Sequence, residues 1–393
     1  MYIVKLKKNE EKRIINGHPW IYANEVESIT GKDIQGSICK VISHNNEFIG
    51  IGYINHSSKI IVRILDYKEV EVNEDFFYKR LKKANDRRCE LGFTDNYRLC
   101  FGESDFLPGL IVDRYGDKLV IQILTLGMEV RRQIIINSLV KLFDGENNPN
   151  FGIYERSDVE SRQKEGLKPR AGFVYREFDP LVIINENGLK IRVDIKNGQK
   201  TGYFLDQKEN RDNIKYYCKD KNVLDCFCNV GGFSLNASKN KAKSVTALDI
   251  SKIAINEVNE NAKLNNIKNI EAIECDVFDK LREYKKEGRK FDVIILDPPA
   301  FIKSVDSISS GYNGYLDINT LALKLLNKGG YLITCSCSQH LTLQLFMKMI
   351  EESVIRSKAK AKLVELRFQG KDHATLINYQ ESLYLKVAII NVV

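Results

Sequence analysis

The sequence has no apolar run approaching the roughly 20 residues of a membrane-spanning helix, so no membrane partner is expected. Its first residues, MYIVKLKKNEEKR, lack the apolar stretch of a secretion signal. A cytoplasmic chain is the expectation. Low-complexity linkers and internal repeats are missing, so domain borders must be read from shifts in composition. Tryptophan occurs once, at Trp20. Charge of one sign is only modestly in excess: 60 Lys+Arg against 52 Asp+Glu gives +8. That is compatible with a nucleic acid partner without demanding one. Nine cysteines, an odd count, argue for free thiols rather than a disulfide framework. Most should pack as small hydrophobes. What is present, 43% hydrophobic and 28% charged residues, is a soluble globular composition. At 393 residues the chain exceeds one ordinary core and should hold two or three domains.

Three zones stand out. In residues 1–68, short β-branched runs (GSICKVI, EFIGIGYI, KIIVRIL) alternate with turn residues and predict a small β-barrel or sandwich. Residues 69–185 open with EDFFYKRLKKANDRRCEL. There Phe77, Leu81 and Ala84 share a helical face, and Lys79, Arg80, Lys82, Lys83, Arg87 and Arg88 crowd the other sides. Strand-like LPGLIVDRY and KLVIQIL and the amphipathic MEVRRQIIINSLVKLF follow, which predicts an α+β domain. In residues 186–393, strands such as NVLDCF, SVTALD, IEAIECD, FDVIILD and GGYLITCSCS alternate with helical segments. This predicts a doubly wound, mostly parallel α/β sheet. The closing runs LVELRF and LYLKVAIINV suggest an antiparallel edge.

Ligands of open α/β sheets bind beyond the carboxyl ends of the strands. The first strand is followed by Asp225-Cys226-Phe227-Cys228-Asn229-Val230-Gly231-Gly232-Phe233, where the glycines permit close backbone approach. The second ends in Asp249-Ile250-Ser251, with a carboxylate placed for a ribose diol. The third is followed by Asp276-Val277, the fourth by Asp297-Pro298-Pro299 and the fifth by Ser336-Cys337-Ser338. One strand-end Asp is usually a helix cap; four in consecutive order, with a glycine pair, favour a cofactor site. GxGxxG is absent, and no lysine follows the glycines as in a phosphate loop. An acidic site suits a cationic adenosine ligand such as S-adenosyl-L-methionine better than a polyphosphate.

These segments resemble the motifs of class I S-adenosylmethionine-dependent methyltransferases: VLDCFCNVGGFSL the first, LDIS the second, CDVFD the third and LDPPAF the fourth. The whole chain is similar to one subgroup, the bacterial 23S rRNA cytosine-C5 methyltransferases with an N-terminal PUA domain. GHPWIYANEV and FIGIGYIN resemble the PUA domain, FGESDFLPGLIVDRYGD and YERSDVESRQKEGL the central domain, and DHATLINYQESLYLK the C-terminal segment. The resemblance implies a PUA RNA-binding domain at 1–68, a central α+β domain at 69–185 and a Rossmann-like methyltransferase domain with a seven-stranded sheet at 186–393. It implies 23S rRNA as partner. NGQKTGYFLDQKENR is similar to a segment that closes over the cofactor, which adds Phe204, Leu205, Asp206, Gln207 and Arg211 to the cofactor set. A homodimer would fit, though no residue demands one.

Methylating cytosine C5 requires a nucleophile at C6, because the ring carbon is not nucleophilic unaided. A thiolate that adds there supplies it. Cys335 and Cys337 share one face of their strand, with Cys335 deeper and Cys337 at the mouth, level with Asp297. Geometry favours Cys337 as nucleophile, against the alternative of a buried small side chain. The resemblance selects the same residue, in its Ser336-Cys337-Ser338 context, and implies that Asp297 binds the cytosine N3/N4 edge. The subgroup usually has lysine after the prolines. Here Ala300 stands there, with Lys303 nearby, and the base that removes the C5 proton is not identified. The pairs Cys226/Cys228 and Cys335/Cys337 are spaced too closely for an ordinary zinc site, so no metal is expected. RNA contacts are expected at Lys79, Arg80, Arg156, Arg162, Phe301 and Lys303. Against this, the basic helix could be a solvated face, and the two later arginines could pair with Asp158, Glu160 and Glu165. Phe301, Tyr312 and Tyr315 could stack on a flipped base or be core aromatics. An exocyclic-amine methyltransferase and a non-catalytic RNA-binding assembly factor are the competing readings.

Overall fold

The structure, a computed structural model, describes every residue except residue 33. The chain forms two compact units: Met1–Ile184 with Val193–Leu205 and Lys371–Ser382, and Asn185–Arg192 with Asp206–Gly370 and Leu383–Val393.

In the first unit, six strands hydrogen-bond in the order Trp20–Tyr22, Ile60–Asp66, Phe48–Ile54, Ile38–Ile42, Tyr2–Leu6, Val26–Thr30. Only Tyr2–Leu6 and Ile38–Ile42 run parallel; the other neighbours are antiparallel. The three predicted β-branched runs are all strands, wrapped on a core of Val4, Leu6, Ile21, Val41, Ile54 and Val62. Gly52 is needed where two strands close up: a Cβ there would lie 2.5 Å from the Arg63 carbonyl oxygen. A second sheet of five strands has the order Arg170–Tyr175, Gly152–Ser157, Lys118–Ile123, Leu110–Tyr115, Asn96–Phe101. Helices Glu74–Glu90 and Arg132–Leu142 bury Phe77, Leu81, Ile135 and Leu139 against it, and Tyr53 and Leu65 of the first sheet join this core. Each such side chain contributes roughly 1.5–3 kcal/mol by leaving water. The run predicted as one helix over 128–143 is broken into Leu126–Glu129 and Arg132–Leu142. Asn73 caps the first long helix by accepting from the Phe76 N–H at 3.1 Å.

The second unit follows the predicted alternation. Its elements are β1 (Asn222–Cys226), α1 (Gly232–Lys239), β2 (Ser244–Asp249), α2 (Lys252–Leu264), β3 (Ile270–Glu274), α3 (Val277–Lys286), β4 (Phe291–Leu296), α4 (Ile308–Leu325), β5 (Leu326–Ser336), α5 (Leu343–Ser357), β6 (Ala361–Arg367) and β7 (Lys386–Val392). The sheet order is β3-β2-β1-β4-β5-β7-β6. β1 to β5 are parallel and β7 is antiparallel to both its neighbours. The central strands are continuous apolar runs because both faces are covered. Leu224, Cys226, Ile294, Leu296 and Leu332 face one core. Residues of the opposite parity, Val223, Val293, Ile295, Ile333 and Cys335, face the other. The order reverses between β1 and β4, which makes the crevice at their carboxyl ends the topological switch point. Among the described residues, no helix is long and apolar enough to cross a membrane.

Candidate active site

The carboxyl end of β1 turns through three left-handed residues, Phe227 (φ 62°), Asn229 (φ 49°) and Gly231 (φ 86°), before α1 begins at Gly232. Two of the three are not glycine, so the turn stores strain of the kind that clusters at ligand sites. Side-chain acceptors hold it in place. Asp249, at the end of β2, accepts the Asn229 N–H at 2.9 Å and the Ser251 N–H at 2.9 Å. Asp225 accepts both the N–H and the hydroxyl of Ser234, at 2.9 and 2.6 Å, through one carboxylate oxygen. Its other oxygen is buried without a hydrogen-bond partner. Burial, followed by the Asp297 and Asp249 carboxylates, pushes Asp225 up to about 7 against the hydrogen bonds from Ser234. An orphaned acidic oxygen beneath a strained glycine turn fits a cationic ligand, and Asp249 beside it remains half-exposed. Phe233 is buried in the core behind the turn, whereas Ile250 is 70% exposed. Asp276 caps α3 through the Asp279 N–H, and Val277 is buried. These residues lie at successive strand ends, as the sequence predicts.

Asp297 follows β4, and buried Pro298 turns the chain away. Gln207 donates to Asp297 at 3.1 Å and accepts from Asn210 at 2.8 Å. Gln207, predicted to bind cofactor, therefore orients Asp297. Asp206 accepts from the Tyr384 hydroxyl at 2.5 Å. Two of the predicted cofactor residues, Phe204 and Leu205, belong to the first unit, with Leu205 buried.

The Ser336–Ser338 turn ends β5. Tyr315 of α4, fully buried, bridges it: the Ser336 hydroxyl donates to the Tyr315 oxygen at 3.0 Å, and the Tyr315 and Ser338 hydroxyls are 2.9 Å apart. Ser338 also accepts the Ile302 N–H at 3.2 Å. Tyr315 is thus a framework residue for the turn and not a stacking platform. Phe301 packs 4.7 Å from its ring centroid and stays half-buried. The four candidate metal cysteines do not converge: Cys335 and Cys337 share one cluster, while Cys226 and Cys228 lie in two others. Cys226, Cys335 and Cys228 are buried in three separate clusters, and all three thiols are raised by burial. Cys337 is half-exposed at the mouth, but it is not level with Asp297 as the sequence predicts: the β4–β5 register pairs Leu296 with Thr334, which brings Asp297 level with Cys335 and leaves Cys337 two residues further out. Among the described residues, no cluster of three His, Cys, Asp or Glu side chains has metal-holding geometry.

Several predicted basic contacts are already engaged, and two need correction. Arg211 is not a free cofactor ligand: it is buried in a two-pronged pair with Glu186 at 2.6 and 2.7 Å. Arg162 is not an RNA contact: it is 3% exposed, paired with Glu129 at 2.9 Å, and bonded to the Ile123 and Lys168 carbonyls. Arg88, expected on the basic helix face, is buried on Asp105. Arg80 pairs with Asp66, and Arg156 donates to the carbonyls of Ile195 and Gly198 and to Asp158. Lys79 and Lys303 are exposed, Lys79 beside Asp75 at 2.5 Å. The sequence reading missed Lys386, buried at the start of β7. A lone lysine opening an apolar strand was the available signal.

A doubly wound sheet with acidic strand ends and a strained glycine turn at the switch point defines an S-adenosylmethionine-dependent methyltransferase fold. Residues 168–366 match a family model described as S-adenosylmethionine-dependent methyltransferase, and residues 4–67 match a PUA-like domain. Curated relatives include Ribosomal RNA large subunit methyltransferase I of Aeromonas hydrophila, 42% identical over 98% of both chains. The protein of the same name from Shewanella frigidimarina is 39% identical over 99% of both. Among solved structures, a Streptococcus mutans protein described as a SAM-dependent methyltransferase superposes with a TM-score of 0.84 at 24% identity, each chain wholly covered. A methyltransferase structure complexed with SAH gives 0.86, also at 24% identity and full coverage; these two likenesses speak for the fold. The chain belongs to the S-adenosylmethionine-dependent methyltransferase family.

Proposed function

We propose that the protein methylates C5 of a cytidine in 23S rRNA, with Cys337 as nucleophile and Asp297 as its partner on the base. The observation that carries this is a half-exposed thiol just past the end of β5, two residues beyond the point where the β4–β5 register brings the Asp297 carboxylate level with Cys335, at the switch-point end of the sheet. The rRNA substrate is taken from the relatives' names. S-adenosylmethionine supplies the methyl group. The strand-end set Asp225, Phe227, Asn229, Gly231, Gly232, Asp249, Ile250, Ser251, Asp276 and Val277 would hold it. The Cys337 thiolate adds to C6 of the cytosine, and the displaced electron pair makes C5 nucleophilic. Asp297, oriented by Gln207, binds the N3/N4 edge as charge develops there. After methylation a base takes the C5 proton, and the C6–S bond breaks to return the thiolate. Residues 1–68 would serve as the RNA-binding PUA domain, 69–185 as the central domain and 186–393 as the methyltransferase domain. An rRNA substrate implies a cytoplasmic enzyme.

The test is transfer of labelled methyl to unmodified 23S rRNA, digested to nucleosides, with wild type, Cys335→Ser and Cys337→Ser side by side. Label in 5-methylcytidine that survives Cys335→Ser and disappears with Cys337→Ser is expected. Label in an N-methylated nucleoside would select the exocyclic-amine reading instead. No transfer to any rRNA form would leave the assembly-factor reading.

A further inference from the structure

Lys386 opens β7 directly opposite Ser336 in the antiparallel ladder. Its side chain is 3% exposed. The ammonium donates to two main-chain carbonyls, Ser338 at 2.8 Å and Tyr384 at 2.8 Å. No ion pair with a carboxylate accompanies it among the described residues, although nearly every other buried cation in the chain has one, such as Arg88, Arg162 and Arg211. Enclosing a lysine without an acid is costly, and an apolar residue would pack more cheaply at a strand start. The ionisable group that favours its charged form is the Cys337 thiol. Burial pushes the ammonium down to about 8, with Cys337 acting in the opposite direction.

We propose that Lys386 is the positioning residue of the nucleophile: it clamps the Ser336–Ser338 turn from the β7 side and stabilises the Cys337 thiolate with its positive charge. Tyr315 holds the same turn from the α4 side through Ser336 and Ser338. Cys337 is therefore presented between a neutral hydroxyl frame and a cation. The thiol proton leaves to water, the ammonium keeps its own, and the thiolate is available to add to carbon. The other titratable groups around this strand end are Tyr315, Cys335, Asp297 and Asp225, together with Asp206, which accepts from the Tyr384 hydroxyl. Of these, Cys335 and the carboxylates would oppose a thiolate, which makes one enclosed cation the counterweight. The inference rests on the reading of Cys337 as nucleophile.

The experiment uses the full-length protein and follows iodoacetamide alkylation of Cys337 by peptide mass spectrometry from pH 6 to 9. Wild type is compared with Lys386→Gln, which keeps an N–H donor on a side chain one bond shorter but carries no charge, and with Lys386→Arg. Exposed Cys89 in the same digest is the internal control. We expect Lys386→Gln to slow Cys337 alkylation near pH 7 about tenfold and to move its profile to higher pH, with Cys89 unchanged. Lys386→Arg should keep most of the wild-type profile, and methyl transfer should fall in kcat more than in KM for the cofactor. A wild-type alkylation profile in Lys386→Gln overturns the proposal, whatever happens to turnover. Should Lys386→Gln not fold, the same comparison is made with Lys386→Met. The nucleophile reading fails separately, by methyl transfer persisting in Cys337→Ser.

Discussion

Single side chains at the mouth of the sheet do two kinds of work, and substitution can separate them. Tyr315 is fully buried, and among the described residues its hydroxyl serves the cysteine turn and the Phe301 backbone. Tyr315→Phe should therefore cost about 1–2 kcal/mol of stability, because Ser336 and Ser338 lose a buried partner. It should also lower kcat with little change in cofactor affinity, which calorimetry and steady-state kinetics can check together. Gln207 stands in a similar relation to Asp297. Gln207→Leu removes its donor and should lower kcat by about tenfold or more while S-adenosylmethionine still binds, since an orienting hydrogen bond of this kind contributes about 1.5–3 kcal/mol. Neither role was readable from the residues alone. A Tyr inside an apolar helix and a Gln at the end of a short 3-10 turn acquire their tasks only when β4, β5 and α4 converge.

At the scale of the element, the β1–α1 turn couples its geometry to pH. Asp225 is fully buried with its titration raised to about 7, while the unfolded carboxyl titrates near the ordinary ~4. Between these values the folded state holds more protons than the unfolded state, so stability falls as pH rises. The wild-type contribution is complete below about pH 4 and lost as pH passes about 7. Asp225→Asn keeps an acceptor for Ser234 and cannot ionise. Urea titrations at pH 5 and pH 8 should show the wild type losing on the order of a few kcal/mol relative to this variant. The element level is also where the sequence was most legible. VLDCF and FDVIILD read as covered parallel strands because they are mostly apolar; Asp297 follows the second at the crevice, and Asp225 lies one residue inside the end of the first. Charged residues were the least legible. Arg88, Arg162 and Arg211 look like surface cations until Asp105, Glu129 and Glu186 arrive from distant segments to bury them.

On the scale of the whole molecule, the chain does not finish one unit before starting the other. After β6 it contributes Lys371–Ser382 to the first unit and returns at Leu383 for β7. Composition could not reveal this excursion, because DHATLINYQES carries no periodic pattern of its own. Its anchors are polar. The Asp372 carbonyl accepts from Arg88 at 2.7 Å, and its carboxylate accepts the Arg98 N–H at 2.9 Å and pairs with His373 at 2.9 Å. Burial alone would raise that carboxyl, but His373, the Arg98 N–H and the Arg98 charge hold it below the usual carboxylate range. Asp372→Ala leaves the Arg98 N–H and His373 without this acceptor and should cost about 2–3 kcal/mol. The only tryptophan reports on it: Trp20 packs edge-on against Tyr379 of the same excursion, with ring centroids 4.8 Å apart. Urea unfolding followed by Trp20 fluorescence should show the midpoint of Asp372→Ala displaced downward. Asp225→Asn, in the other unit, should leave the Trp20-detected transition at its wild-type position at pH 5. Equal displacement by both substitutions would mean that the two units unfold as one cooperative block, so that the excursion ties their stabilities together.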